Sequence, residues 1–299
     1  MKPMSVTTPN YLNIRLVGIL RTKPGTPSIN AIQAIQSAFD AGADAVEITA
    51  NSDHWQEVVD ECTKRNLNIG VGSIKNSSTA HEAISHGANF LVSPGVFPGA
   101  IAMARTNHIP ILPGVFTIDE AKRARMLGPV DQKFFPASVC THEDLFKAIK
   151  EPFRDEFEEL IKKGWKIMPY GSEQFQTLKL NKYIEINTPT AFYDIYLNIK
   201  DSKNPHNPIV IKLPVDEDVG FKRLRTLSAI SNEWQVRTYA VGGISDKNMK
   251  EALDNGAYGV CPGSGMFNAD AIFNGDYERV QSDVKKHVDI IKELIADKL

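Results

Sequence analysis

The chain has 299 residues, is 42% hydrophobic and 23% charged, and carries a formal net charge of −2. That composition supports a sizeable core, in one large domain or one domain carrying an insertion. The interspersed charge offers neither a basic stripe for nucleic acid nor a membrane-binding face. Cys62, Cys140 and Cys261 lie far apart, with no CxxC or metal spacing, which points to free thiols in a reducing compartment. The opening "MKPMSVTTPN" lacks the apolar core of a signal peptide, and no apolar run approaches the ~18 residues of a membrane span. The expectation is a soluble, cytoplasmic protein.

In chain order, "IRLVGILR" reads as a strand and "SINAIQAIQSAFDAG" as a helix with Ser28 as its N-cap. The strand "AVEITA", the helix "DHWQEVVDECTKR" and the strand "NIGVGS" follow. Then come the helix "STAHEAISHG", the strand "FLVSPG", the helix "PGAIAMARTN", the strand "IPILPGV", the helix "TIDEAKRARMLG" and a sixth strand, "DQKFFPA". Apolar runs with little alternation fit a parallel sheet covered by helices. Gly42, Gly87, Gly128 and Gly256 each close a helix just before a strand, as C′ glycines do, so one unit is being repeated. Two more units end the chain: "VRTYAVGG" with "SDKNMKEALDNG", then "GVCPGSG" with a long helix from Asp276. Eight such units predict an α/β fold, a (β/α)8 barrel. A doubly wound open sheet is the rival, but no GxGxxG follows the first strand.

The rhythm breaks between Val139 and Pro214. Helical patterns ("THEDLFKAIK", "RDEFEELIKKG") give way to strand-like runs ("WKIMPYG", "KYIEINT", "FYDIYLNIK", "PIVIKLP"). The expected organisation is therefore a barrel formed by residues 1–138 and 215–299, with an inserted segment, 139–214, after strand six. Insertions there sit on the C-terminal face of a barrel, where they can cover a site, mediate assembly or be neutral.

Chemistry in barrels gathers at the C-terminal strand ends. The polar residues there are Arg21, Glu47, Ser73, Ser93, Lys133, Gly242-Gly243 and Gly263-Ser264. A lysine among apolar walls loses basicity and becomes nucleophilic toward ketones, and a nearby carboxylate can move protons. Glycine-rich strand ends offer backbone N–H groups to phosphate, commonly after strands seven and eight. Each residue also has a plain alternative. Lys133 can point outward, Glu47 and Arg21 can form structural ion pairs, "VGGIS" can be a turn capped by Ser245, and Ser73 and Ser93 can bond backbone. His81, His86 and His108 fall on helices or helix ends and suggest no metal site.

"GADAVEITANS", "GVGS", "FLVSPG", "IPILPGV", "QKFFPAS", "AVGGIS" and "PGSGMF" follow one another in the order of the class I aldolases that cleave 2-keto-3-deoxy-6-phosphogluconate and its galactonate relative. The chain resembles that family over Ile14–Ser138 and Val215–Leu299. The resemblance implies a Schiff base on Lys133, acid/base work by Glu47, and a phosphate held by Gly242, Gly243, Gly263 and Ser264. Ser73 would help bind the pyruvate carboxylate, with Arg21 and the Pro94 turn. It also implies pyruvate and a phosphorylated aldehyde such as glyceraldehyde 3-phosphate as products, no metal or other cofactor, and a homotrimer. Carbanion chemistry at C3 needs an electron sink at C2, and a protonated imine supplies it where no metal-ligand cluster is apparent.

Three departures stand out. Asn51 occupies the place where gluconate-type enzymes carry an arginine, and "EIxxNSxxW", with Trp55, looks more like the galactonate type. The insertion interrupts the link after strand six. Lys212 in "IVIKLP" is a rival imine lysine, although its spacing to proline is one residue short. Two other readings stay open: an isomerase or synthase acting on a sugar phosphate, or a non-catalytic barrel whose insertion binds a partner.

Overall fold

The structure is a computed structural model; it describes residues 14–128, 131–178, 182–202, 207–213 and 219–296. The opening "MKPMSVTTPN" and the predicted boundary at 214/215 fall outside these. Strands and helices alternate as β1 (Val17–Leu20), α1 (Ser28–Asp40), β2 (Ala45–Thr49), α2 (Trp55–Lys64), β3 (Ile69–Gly72), α3 (Ser77–Ser85), β4 (Phe90–Val92), α4 (Pro98–Thr106), β5 (Ile111–Leu112), β6 (Gly114–Val115), α5 (Ile118–Leu127) and β7 (Asp131–Phe134). After β7 come α6 (His142–Lys150), α7 (Arg154–Lys162), β8 (Ile167–Pro169), α8 (Glu173–Leu178), β9 (Ile184–Ile186), α9 (Pro189–Ile199) and β10 (Ile209–Ile211). The barrel rhythm then resumes with α10 (Phe221–Glu233), β11 (Arg237–Val241), α11 (Met249–Asp254), β12 (Gly259–Cys261), α12 (Ala269–Asn274) and α13 (Tyr277–Ala296).

Parallel pairing runs β1-β2-β3-β4-β5 on one side and β6-β7-β11-β12 on the other. Pro113, which has no N–H to give a ladder, separates β5 from β6, so the predicted fifth strand is one strand in two pieces. Lys133 N donates to Pro113 O across that break, at 3.0 Å. On the far side, Ile19 N donates to Pro262 O (2.9 Å) and Val260 N to Arg15 O (2.8 Å), joining β12 back to β1. Eight strand positions thus form a ring. Helices cover its outside through one large apolar cluster, and a second cluster that includes Val17, Ala45, Phe90, Tyr239 and Val241 fills its inside. The C′ glycines 42, 87, 128 and 256 all take left-handed φ between 89° and 101°, the conformation that ends a helix at little cost for glycine alone. Ser28 differs from expectation. It is the first helical residue, Pro27 holds the cap position, and no side chain caps the end.

The segment after β7 has its own sheet, three parallel strands in the order β8-β10-β9. Gly220 N donates to Val139 O at 2.9 Å, so the two ends of the excursion meet. One predicted strand is wrong: "FYDIYLNIK" belongs to α9. Its β-branched and aromatic residues favour strand locally, but Thr188 caps Ala191 N and Pro189 sits at the first helical turn, a stronger start signal. Phe153, Phe157, Phe192 and Tyr193 then stack into an aromatic core that reaches the barrel at Phe97, 5.0 Å from Tyr193 between ring centroids.

Candidate active site

Alternation along each strand decides which side chains enter the barrel. On β7, Gln132 and Phe134 face outward, and Gln132 bonds Ser231 and Thr238. Asp131, Lys133 and Phe135 face inward. Asp131 pairs with Arg237 at the closed end of the barrel. Lys133 sits above it, 5% exposed, with Nζ 4.7 Å from the centroid of the Phe135 ring. On β2, Glu47 is the corresponding inward residue, 3% exposed. Gly72 of β3 leaves the space its carboxylate fills, since a Cβ there would stand 2.5 Å from Glu47 Oε1.

Lys133 and Glu47 shift in opposite directions, both chiefly through burial. Desolvation lowers the Lys133 pKa against the pull of Glu47, with Arg21 adding to the depression. Desolvation raises the Glu47 carboxyl from 4.5 to about 7, while the positive charges of Lys133 and Arg21 oppose the rise. The result is an amine and a carboxyl that both exchange protons more readily near neutrality than ordinary side chains do.

A cavity of about 680 Å³ opens above this pair. Arg21, Glu47, Ser73, Pro94, Lys133, Gly242, Gly243, Gly263 and Ser264 all line it, so the structure brings the strand-end residues together in one place. Ser73 adopts φ 60°, an uncommon conformation for a residue with a side chain. Gly242 and Gly243 have φ of 93° and 69°. A Cβ on Gly243 would collide with Ser138 Oγ, and Asn248 fixes the turn by donating to Gly243 O and accepting from Ser245 N. Ser93 does not line the cavity; its hydroxyl donates to Gly95 O. Trp55 is a core residue, edge-on to His86. Lys212 also lies elsewhere, bonded to Glu185 and over the Tyr170 ring, and that carboxylate raises its pKa. A second hollow of about 860 Å³ is lined by residues such as Asn66, Asn68, Asn89 and His108, and by neither Lys133 nor Glu47.

The sequence reading missed the residues that the segment after β7 sends into the cavity: Lys147, Ala148, Lys150, Glu151, Pro152 and Arg154. Glu151 forms an ion pair with Arg21. Asn51 Nδ2 donates to Glu151 O and Arg154 Nη2 donates to Asn51 O, each at 3.1 Å. No local pattern links a helix near residue 150 to the ends of β1 and β2; the only hint was the acidic-basic helix directly after strand six. Phe135, the aromatic next to the lysine, also lines the cavity. Among the described residues, no group of three or more His, Cys, Asp or Glu side chains is placed to hold a metal ion, and no helix is long and apolar enough to cross a membrane.

A family model described as KDPG and KHG aldolase matches residues 13–169, just over half of the chain. The chain is 32% identical over 127 residues to a probable 2-dehydro-3-deoxy-6-phosphogalactonate aldolase of Rhizobium meliloti (strain 1021), a match covering 42% of this chain and 58% of that protein. It is 27% identical over 143 residues to a KHG/KDPG aldolase of Escherichia coli (strain K12), covering 45% and 67% respectively. The matches thus span between a little over half and two thirds of these relatives. Among solved structures, a native KDPGal structure superposes with a TM-score of 0.61 at 19% identity, covering 95% of this chain and 96% of that one. A KDPG aldolase of Legionella pneumophila, with pyruvate captured as a covalent carbinolamine intermediate, gives 0.58 at 16% identity, covering 92% and 94%. At such identities the likeness is one of fold.

Proposed function

The chain belongs to the KDPG and KHG aldolase family, and from that premise we propose that it is a class I aldolase cleaving a phosphorylated 2-keto-3-deoxy sugar acid to pyruvate and an aldehyde such as glyceraldehyde 3-phosphate. The observation that carries the reading is the pair formed by Lys133 and Glu47, both buried in one cavity and shifted in opposite senses.

In this reading the neutral Lys133 amine adds to the C2 ketone, and the carbinolamine loses water to give a protonated imine. Glu47, as carboxylate, takes the C4 hydroxyl proton, partly through water. The C3–C4 bond breaks, the aldehyde leaves, and the bonding electrons move into the imine as an enamine. Return of the proton to C3 and hydrolysis of the imine release pyruvate and restore the amine. Ser73, Arg21 and the Pro94 turn hold the carboxylate end. The glycine-rich ends after β11 and β12, Gly242, Gly243, Gly263 and Ser264, hold the phosphate through backbone N–H groups. The division into a barrel (1–138 and 215–299) and an inserted unit (139–214), a homotrimeric assembly and a cytoplasmic setting complete the reading. The separate sheet β8-β10-β9 supports the first, and family resemblance the other two. A buried amine of lowered basicity beside a buried carboxyl favours this reading over an isomerase or synthase on the same barrel.

Incubating the enzyme with a panel of phosphorylated and unphosphorylated keto acids and measuring released pyruvate tests the assignment. Release from a phosphorylated 2-keto-3-deoxy acid is expected. Turnover of none, with no exchange of pyruvate methyl protons in deuterated buffer, would overturn it.

A further inference from the structure

Helix α6 crosses the mouth of the barrel. It begins just after β7, and the residue following it, Glu151, reaches Arg21 at the end of β1 and Asn51 after β2. One face is spent on the insertion's own core, where Leu145 and Ile149 are fully buried and Phe146 packs edge-on against Phe157. Lys147, Ala148 and Lys150 of α6, Glu151 just after it and Arg154 at the start of α7 all line the cavity. The end of this roof is pinned. Asn51 grips Glu151 and Arg154, Lys75 donates to Pro152 O at 3.4 Å and pairs with Glu156, and Phe153 is buried in the aromatic core.

The roof's charges are not equally engaged. Arg21 is paired with Glu151, Lys23 with Asp270, Lys147 with Glu143 and Arg154 with Asp155. Among the described residues, Lys150 is the roof cation with no carboxylate partner. Lys150 lines the same cavity as Gly242, Gly243, Gly263 and Ser264. The C-terminal end of α6 reaches the end of β1 through Glu151 and Arg21, and β1 is joined to β12 by the bond from Ile19 N to Pro262 O. An unpaired ammonium there, on a flexible stem, acts as a point charge for a phosphomonoester entering the cavity.

We propose that Lys150 is a specificity-determining residue which binds the phosphate of the aldehyde half of the substrate, so that the insertion completes the site. This rests on the aldolase reading above for the substrate, but the phosphate contact itself can be measured apart from turnover. In the full-length protein, Lys150→Ala should weaken binding of inorganic phosphate about 10-fold. The same variant should raise KM for the phosphorylated keto acid about 10-fold with kcat nearly unchanged. The unphosphorylated keto acid should be handled as by wild type, and Lys150→Arg should retain most of the preference. Equal phosphate binding by wild type and Lys150→Ala, or equal losses on both substrates, would overturn the inference. Phosphate binding that depends on Lys150, in a protein that releases pyruvate from neither substrate, would uphold the phosphate contact and overturn the aldolase reading instead.

Discussion

Gly72 makes room for Glu47: the carboxylate oxygen lies 2.5 Å from where a Cβ on Gly72 would stand. Gly72→Ala must therefore push the carboxyl aside in a packed barrel interior. Overpacking of this kind costs about 1–3 kcal/mol, while a displaced acid/base group loses about 100-fold in rate. Steady-state kinetics and thermal melts of this variant should accordingly part company, with kcat falling far more than stability. A fully active Gly72→Ala protein would mean that Glu47 is not the proton carrier.

Burial raises the Glu47 carboxyl from 4.5 to about 7, so the folded protein holds that proton more tightly than the unfolded chain does. The associated stability is complete below about pH 4.5 and disappears as pH rises through about 7. Glu47→Gln, which cannot ionise, should thus be more stable than wild type at pH 8, by up to about 3 kcal/mol. It should melt at a similar temperature near pH 4.5. Its activity should be largely lost. In the wild type, kcat should rise with pH through a group titrating near 7, because Glu47 accepts a proton only as the carboxylate.

Lys212 separates two readings that the sequence left open. Its ammonium is bonded to Glu185, outside the cavity, and that contact favours the charged form. Lys212→Ala should keep kcat and KM within about twofold of wild type, as expected of a surface ion pair, whereas Lys133→Ala should be inactive.

Phe153 ties the segment after β7 to the barrel. It is fully buried and lies between Phe97, Phe192 and Tyr193. Phe153→Ala should cost about 3–5 kcal/mol in denaturant unfolding. Because the neighbouring Pro152 and Glu151 border the cavity, the surviving folded fraction should also show a raised KM. An unchanged KM would mean that the roof does not shape the site.

The barrel was legible because each unit repeats the same local grammar: an apolar strand, then a helix closed by a glycine at positive φ, as at Gly42, Gly87, Gly128 and Gly256. The site was legible because barrels put inward-pointing polar residues at one end, and Lys133, Glu47 and the glycine pairs all fall there. The segment after β7 was legible only in part. In "FYDIYLNIK" residue composition outweighed the Thr188-Pro189 helix start, and the strand reading failed. Glu151 and Arg154 carried no site signal because the residues they contact, Arg21 and Asn51, lie about a hundred residues earlier. Tertiary contact, which periodicity does not encode, gives those side chains their place.

The central claim is that the amine of Lys133 condenses with a keto acid. Borohydride reduction in the presence of saturating pyruvate, followed by peptide mass spectrometry, tests it most directly. The account predicts irreversible inactivation and a reduced pyruvyl adduct on Lys133 alone. A protein that remains active and unlabelled, or that carries the adduct on Lys212, would contradict it.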